Sequence, residues 1–106
     1  MIFEALSEAA DRGELLLVDG GICHYHLRRD GQITIREILV LPERRHQGIG
    51  TAMLEHLRQV PGAVCIRAWM PSDLPARRWY EEHGFVEKDR KRSGAGRSLT
   101  LWHLDL

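Results

Sequence analysis

Apolar and polar positions alternate through the first half of the chain, and the alternation changes period in the second half. Leu15-Leu16-Leu17-Val18 reads as a strand, and Asp19-Gly20-Gly21 supplies the residues of a hairpin turn. In the next run Cys23, Tyr25 and Leu27 alternate with His24, His26 and Arg28, giving one core face and one polar face. Arg29-Asp30-Gly31 turns the chain again, and the β-branched run from Ile33 to Leu41 completes an antiparallel meander. From Gly48 the period becomes helical, with Ile49, Ala52, Met53, Leu57 and Val60 on one side, until Pro61-Gly62 breaks it. Ala63 to Trp69 forms a further strand. Asp73 then has the character of an N-cap for a helix from Leu74 to His83, with Pro75 in its first turn and Gly84 after its last. Phe85 opens a last hairpin that turns at Ser93–Arg97 and returns through Leu99–Leu106. Ahead of all this, residues 2–12 read as a short helix with Ile2, Ala5, Leu6, Ala9 and Ala10 on one side, ended by Gly13.

The junction between the third strand and the helix carries the densest chemistry. It runs Val40-Leu41-Pro42-Glu43-Arg44-Arg45-His46-Gln47-Gly48-Ile49-Gly50-Thr51. Pro42 stops the strand because it has no N–H for the ladder. The glycines allow a sharp turn with exposed N–H groups, and the helix N-terminus adds unpaired donors and partial positive charge. The turn is thus suited to an anion such as a pyrophosphate. A Walker loop needs Lys-Ser/Thr after its last glycine, and Gly50 is followed by Thr51-Ala52. A dinucleotide fingerprint needs a third small residue where Met53 stands. Strand, proline, Arg-x-x-Gly-x-Gly and helix instead resemble the acetyl-CoA motif of the GNAT superfamily of N-acetyltransferases, through Val40, Pro42, Arg45, Gly48, Ile49 and Gly50. His46 departs from that pattern, which very often has glycine there. A second stretch, Asp73 to Phe85, resembles the family's other motif: an Asn/Asp, then Ala, then Tyr80-Glu81 and Gly84-Phe85.

That resemblance covers roughly residues 13–106 and implies an α+β fold: a mixed, mostly antiparallel central sheet flanked by helices. It also implies a shortened beginning, because members usually start with an additional strand and helix that shape the acceptor pocket. Acetyl-CoA would lie on Arg45, His46, Gln47, Gly48, Ile49, Gly50 and Thr51, with Asp73 contributing from the second motif. Backbone N–H groups near Leu39 and Val40 would meet the pantetheine arm and the developing oxyanion. Tyr80 would be the general acid, and a phenol pKa of about 10 lies near that of an alkyl thiol. The plainer reading of Tyr80 is a half-buried helix tyrosine. Glu37 alternates onto the face of Ile33, Ile35 and Leu39, where desolvation would suit it to a general base. Equally, it could ion-pair with an arginine on a neighbouring strand.

Composition narrows the partners. The 106 residues suit one domain over 1–106, with 43% hydrophobic and 28% charged residues as in a globular chain. Lys+Arg and Asp+Glu balance at 15 each, so no whole-chain field points to nucleic acid, and the Lys88–Arg92 run suits a solvated hairpin. Cys23 and Cys65 lie in apolar runs and are expected as buried thiols. His24 and His26 share a strand face but lack a third ligand of matching spacing, so no metal is expected. No apolar run approaches the roughly 20 residues of a membrane span and no signal sequence is visible, so a cytoplasmic protein is expected. The expected function is acetyl transfer to a primary amine. The alternative is a GNAT-like module that binds acyl-CoA or a protein without catalysis. A shortened acceptor side favours a large acceptor, such as a peptide or protein amine, and a homodimer formed through the edge at Leu15–Val18 or through Leu99–Leu106.

Overall fold

The computed structural model describes residues 10–73 and 76–106. The helix expected over 2–12 lies outside the described residues except at its end, where the Gly13 N–H reaches the Ala10 carbonyl at 3.1 Å. The strands are β1 (Leu15–Val18), β2 (Gly21–Leu27), β3 (Gln32–Val40), β4 (Cys65–Pro71), β5 (Val86–Arg92) and β6 (Ser98–Asp105). A 3₁₀ turn covers Pro42–Arg44, and the helices are α1 (Ile49–Arg58) and α2 (Arg77–Glu82). One six-stranded sheet has the order β1-β2-β3-β4-β6-β5. Strands β3 and β4 are parallel, while the other neighbours are antiparallel. The mixed, mostly antiparallel α+β architecture is the expected one.

Both helices pack on the same face of this sheet. Met53, Leu54 and Leu57 of α1 and Tyr80 of α2 share one cluster with Cys23, Tyr25, Ile33, Ile35, Ile66, Ala68, Phe85, Trp102 and Leu104. At six residues α2 is too short to persist alone. Its Arg77–Glu81 and Arg78–Glu82 pairs are exposed and contribute only about 0.3–0.5 kcal/mol each. Burial of Tyr80 and Trp79 against the sheet holds it in place.

Three expectations are corrected. Strand β6 lies between β4 and β5, so its edge is occupied and cannot pair with a second copy; the sheet edges are β1 and β5. Asp73 does not cap α2: Ala76 is the N-cap without a side-chain bond, and Asp73 Oδ1 instead accepts from Arg97 at 3.4 Å. Finally, Glu37 is exposed and so is Leu39, although Ile33 and Ile35 are buried. The cause is a β-bulge: His24 lies opposite Glu37, but the next residue, Tyr25, lies opposite Ile35. Arg36 is therefore an extra residue, and one extra residue reverses every later side chain. Beyond the bulge Ile38 and Val40 pack on the core instead.

Gly31 fixes where β3 begins. It sits at φ +91°, and a Cβ there would come within 2.7 Å of the Gly62 carbonyl oxygen. Gly31→Ala should cost about 2–3 kcal/mol from backbone strain and collision. A lowered denaturant midpoint with unchanged slope is the expected result, and an unchanged midpoint would contradict this account.

Candidate active site

The bulge at Arg36 is followed by a parting of the sheet. Pairing between β3 and β4 runs only from Gln32–Cys65 to Ile35–Ala68. Past that point Ile38–Val40 stay with β2 while Trp69–Pro71 stay with β6. Two parallel strands thus diverge into a wedge, and one side of each is left unpaired there.

Which β3 groups line the wedge follows from the ladder. The Leu41 N–H bonds the Gly20 carbonyl at 2.9 Å, so Leu41 and Gly20 form a hydrogen-bonded pair. Such pairs alternate along an antiparallel ladder. Leu39 and Glu37 then turn their N–H groups toward β2, whereas Ile38 and Val40 turn theirs into the wedge. The structure thus places the expected Val40 donor in the wedge, replaces Leu39 by Ile38, and leaves the Leu39 side chain 47% exposed. Sequence alternation missed Ile38 because the bulge is not visible in it.

The wedge ends at the glycine turn. Arg44 binds Asp19 through both terminal nitrogens at 3.1 Å and Gln47 through Nε at 3.2 Å. Gln47 reaches the Glu43 carbonyl at 3.4 Å, and Arg45 Nε donates to the Val40 carbonyl at 3.3 Å. These contacts brace a sharp reversal in which His46 has φ 63° and Gly48, the N-cap of α1, has φ 79°. His46 is the one non-glycine residue at positive φ among the described residues, at the position where the resembled motif prefers glycine. The first helical bond runs from the Ala52 N–H to the Gly48 carbonyl at 2.9 Å. The N–H groups of Ile49, Gly50 and Thr51 precede it, as in any helix, and a Cβ on Gly48 would meet nothing within 4 Å. This open, positively polarised turn is suited to seating an anion.

Helix α2 supports that seat from behind. A Cβ on Gly50 would lie 3.3 Å from the Trp79 indole, so the glycine lets the two helices close together. The Trp79 ring stacks on His83 with centroids 4.3 Å apart, and His83 Nε2 meets Thr51 Oγ1 at 2.8 Å. The motif pattern gives Trp79 and His83 no role in the site. Their four-residue spacing on one helix face was the available signal.

Tyr80 lies one residue further round α2 and is 1% exposed. It stacks on Trp102 (5.6 Å, 4° between planes) and meets Phe85 edge-on at 5.0 Å. Its hydroxyl is buried without a hydrogen-bond partner. An unsatisfied buried hydroxyl costs about 1–3 kcal/mol, while each aromatic pair returns about 0.5–1.5 kcal/mol beyond area burial. The stack therefore holds the orphan in place. Burial, with a smaller contribution from Cys23, pushes the phenol well above the ordinary tyrosine range, so it stays protonated. Tyr80 shares the core cluster with Cys23, which is opposite Ile38 in the ladder, and Ile38 and Val40 pack against that cluster. Burial likewise pushes the Cys23 thiol up to about 12, so it is a neutral wall rather than a nucleophile.

Glu37 stands on the other face of the sheet, directly across from His24. Asp73 is at the β5–β6 turn through Arg97. Among the described residues, no group of three or more His, Cys, Asp or Glu is placed to hold a metal ion. No helix there is long and apolar enough to cross a membrane.

Removing the orphan hydroxyl should relieve its cost. Tyr80→Phe is expected to stabilise the free protein by about 1 kcal/mol. A lower melting temperature for this variant would show that the hydroxyl already has a partner.

Comparison with known proteins agrees with this fold. The acetyltransferase (GNAT) domain family model matches residues 8–87. A candidate GNAT acetyltransferase from Desulfovibrio desulfuricans superposes with TM-score 0.69 at 25% identity, covering 81% of this chain and 61% of its own. A candidate streptothricin acetyltransferase from Bacillus anthracis str. Ames, solved in complex with acetyl coenzyme A, gives TM-score 0.81 at 18% identity, covering 95% and 68%. A GNAT family acetyltransferase from Elizabethkingia anophelis with acetyl-CoA bound gives 0.67 at 15%, covering 81% and 68%. The chain thus spans about two thirds of the length of these structures. No curated protein sequence matches it. With the family model matching well over half of its length, the chain belongs to the GNAT acetyltransferase family.

Proposed function

We propose that this chain transfers the acetyl group of acetyl-CoA to a primary amine by direct attack. The observation that carries the reading is the buried, unpartnered Tyr80 hydroxyl, in one cluster with Ile38 and Val40 of the strand that borders the wedge. The N–H groups of Ile49, Gly50 and Thr51 would take the pyrophosphate, and Arg45, His46 and Gln47 border the same turn. Arg45 is anchored at Nε, so its guanidinium is aimed from the strand end. The pantetheine arm would pass along the unpaired side of β3.

The residues then divide the chemistry. The Val40 and Ile38 N–H groups stabilise the oxyanion formed when the amine nitrogen adds to the thioester carbonyl carbon. Collapse of that adduct breaks the C–S bond, and the phenol of Tyr80 gives its proton to the departing thiolate. The attacking ammonium must first lose a proton. Glu37, exposed on the face away from the helices, would accept it through water rather than as a desolvated base. The proton left on the adduct nitrogen and the one held by Glu37 pass to solvent, tyrosinate regains its proton from solvent, and the products are an amide and a free thiol.

The acceptor side is open in the described residues. Leu17 is 65% exposed and Leu39 47% on the sheet face that carries Glu37. Such a surface suits a peptide or protein amine ahead of a small enclosed metabolite, and pairing of two copies through β1 would cover part of it. Free-thiol release with spermidine, lysine and lysine-containing peptides tests this order. Turnover with the small amines alone would overturn it.

Two substitutions separate binding from chemistry. Gly48→Val should weaken acetyl-CoA binding roughly a hundredfold, because Val is strained at that φ and its branches project into the open seat. Tyr80→Phe should lower turnover by about 10²–10⁴ with affinity little changed. Calorimetry and thiol release measure the two. Unchanged affinity in the first would displace the coenzyme from the turn, and full turnover in the second would leave Tyr80 structural. Binding without thiol release for any amine would favour a non-catalytic acyl-CoA module.

A further inference from the structure

His83 has both ring nitrogens engaged, and the two partners together fix its protons. Nδ1 lies 2.7 Å from the Trp79 carbonyl oxygen, which can only accept, so Nδ1 carries hydrogen. In the neutral ring Nε2 must then be an acceptor. The Thr51 hydroxyl 2.8 Å away is consequently the donor, and its one proton is committed to the ring. Stacking on Trp79 at 4.3 Å and 27° holds the imidazole in this orientation.

That arrangement conflicts with an anion on the seat. Thr51 is the third residue of α1, and its N–H is one of the three open donors. A phosphate oxygen on those donors lies beside Thr51 Oγ1, which presents lone pairs while its proton is turned away. If the ring gains a proton, Nε2–H donates to Oγ1 and the hydroxyl proton is released toward the phosphate. Each group then has a complementary partner, and the imidazolium adds a positive charge behind the seat.

We propose that coenzyme binding and protonation of His83 are coupled through Thr51, making His83 a positioning residue for the pyrophosphate. This rests on the reading of the turn as the acetyl-CoA seat. The proton comes from solvent and forms the Nε2–H bond, and every other change is a rearrangement of hydrogen bonds. Because the complex holds more protons than the free protein, affinity rises as pH falls, by at most about tenfold per pH unit for one coupled proton.

The neighbouring charged groups are largely engaged elsewhere. On α1, Glu55 pairs with Arg58; on α2, Arg77 pairs with Glu81 and Arg78 with Glu82; on β5, Glu87 pairs with Arg77 and Arg90. In the turn Arg44 is on Asp19 and Arg45 on the Val40 carbonyl, beside Glu43 and His46, and His56 of α1 and Tyr80 of α2 complete the titratable side chains of the turn and the two helices. The phosphates of coenzyme A also titrate, so the proposal is tested on differences between proteins.

Calorimetric titration of coenzyme A into the intact chain, at pH 7 in two buffers of different ionisation enthalpy, counts the protons taken up. His83→Gln keeps hydrogen-bonding capacity without a titrating ring, and Thr51→Val keeps the shape without the hydroxyl. Wild type should take up about half a proton or more beyond either variant, and its affinity should gain severalfold over theirs between pH 8 and pH 6.5. Measurable binding with equal proton uptake in all three proteins would overturn the coupling alone. Failure of the wild type to bind coenzyme A at all would overturn the reading of the turn, and the coupling with it. Loss of the excess uptake in Thr51→Val supports the coupling even if His83→Gln folds poorly.

Discussion

One extra residue in one strand governs this molecule. Arg36 has no partner in the β2–β3 ladder, and a bulge bends its strand and strengthens the local twist. Strand β4 is tied on its other side by a seven-residue register with β6, from Cys65–Asp105 to Pro71–Leu99, so it cannot follow. The two parallel strands therefore separate just past the bulge. Backbone groups that would ordinarily be consumed in a β3–β4 ladder are left outside it there. A wedge inside a sheet is costly in lost pairing. It persists because β3 stays paired with β2 and β4 with β6 on either side of it, and because one apolar cluster packs across β2, β3, β4 and β6.

The same bulge sorts the side chains by role. Before it, Ile33 and Ile35 face the helices; after it, Ile38 and Val40 do, and Glu37 is turned to the opposite face. An acid on the helix face would have to be desolvated beside Tyr80. Displaced to the other face, it meets water while the phenol stays dry. Environment thus sets Tyr80 and Glu37 apart, one buried and held protonated, the other exposed.

Much of this was legible in the sequence, for reasons that differ by element. The strand–proline–glycine turn was clear because Pro42 and Gly48 impose backbone geometry locally, and α1 begins at Ile49 as its periodicity implies. The faces of Ile33 and Ile35 followed from period-two alternation. The face of Glu37 did not, because a bulge is a property of the pairing with β2, and neither strand announces it with glycine. Asp73 looked like a cap from its residue type, yet the partner it found, Arg97, lies on a hairpin 24 residues away. Assigning β6 to an edge failed similarly, since strand order is decided by which strands can pair across the sheet rather than by sequence order.

His83 shows why long-range geometry adds chemistry that motif reading lacks. As part of a helix C-terminus its expected work is to bond a late carbonyl, and its Nδ1 does that with Trp79. Only the packing of α2 against the first turn of α1, permitted by the missing side chain at Gly50, brings its other nitrogen to Thr51. A glycine that admits a close helix contact thereby also connects a titratable ring to an anion seat. Replacing Gly50 would separate those two functions only by moving Trp79, so the seat, the helix contact and the ring form one structural unit.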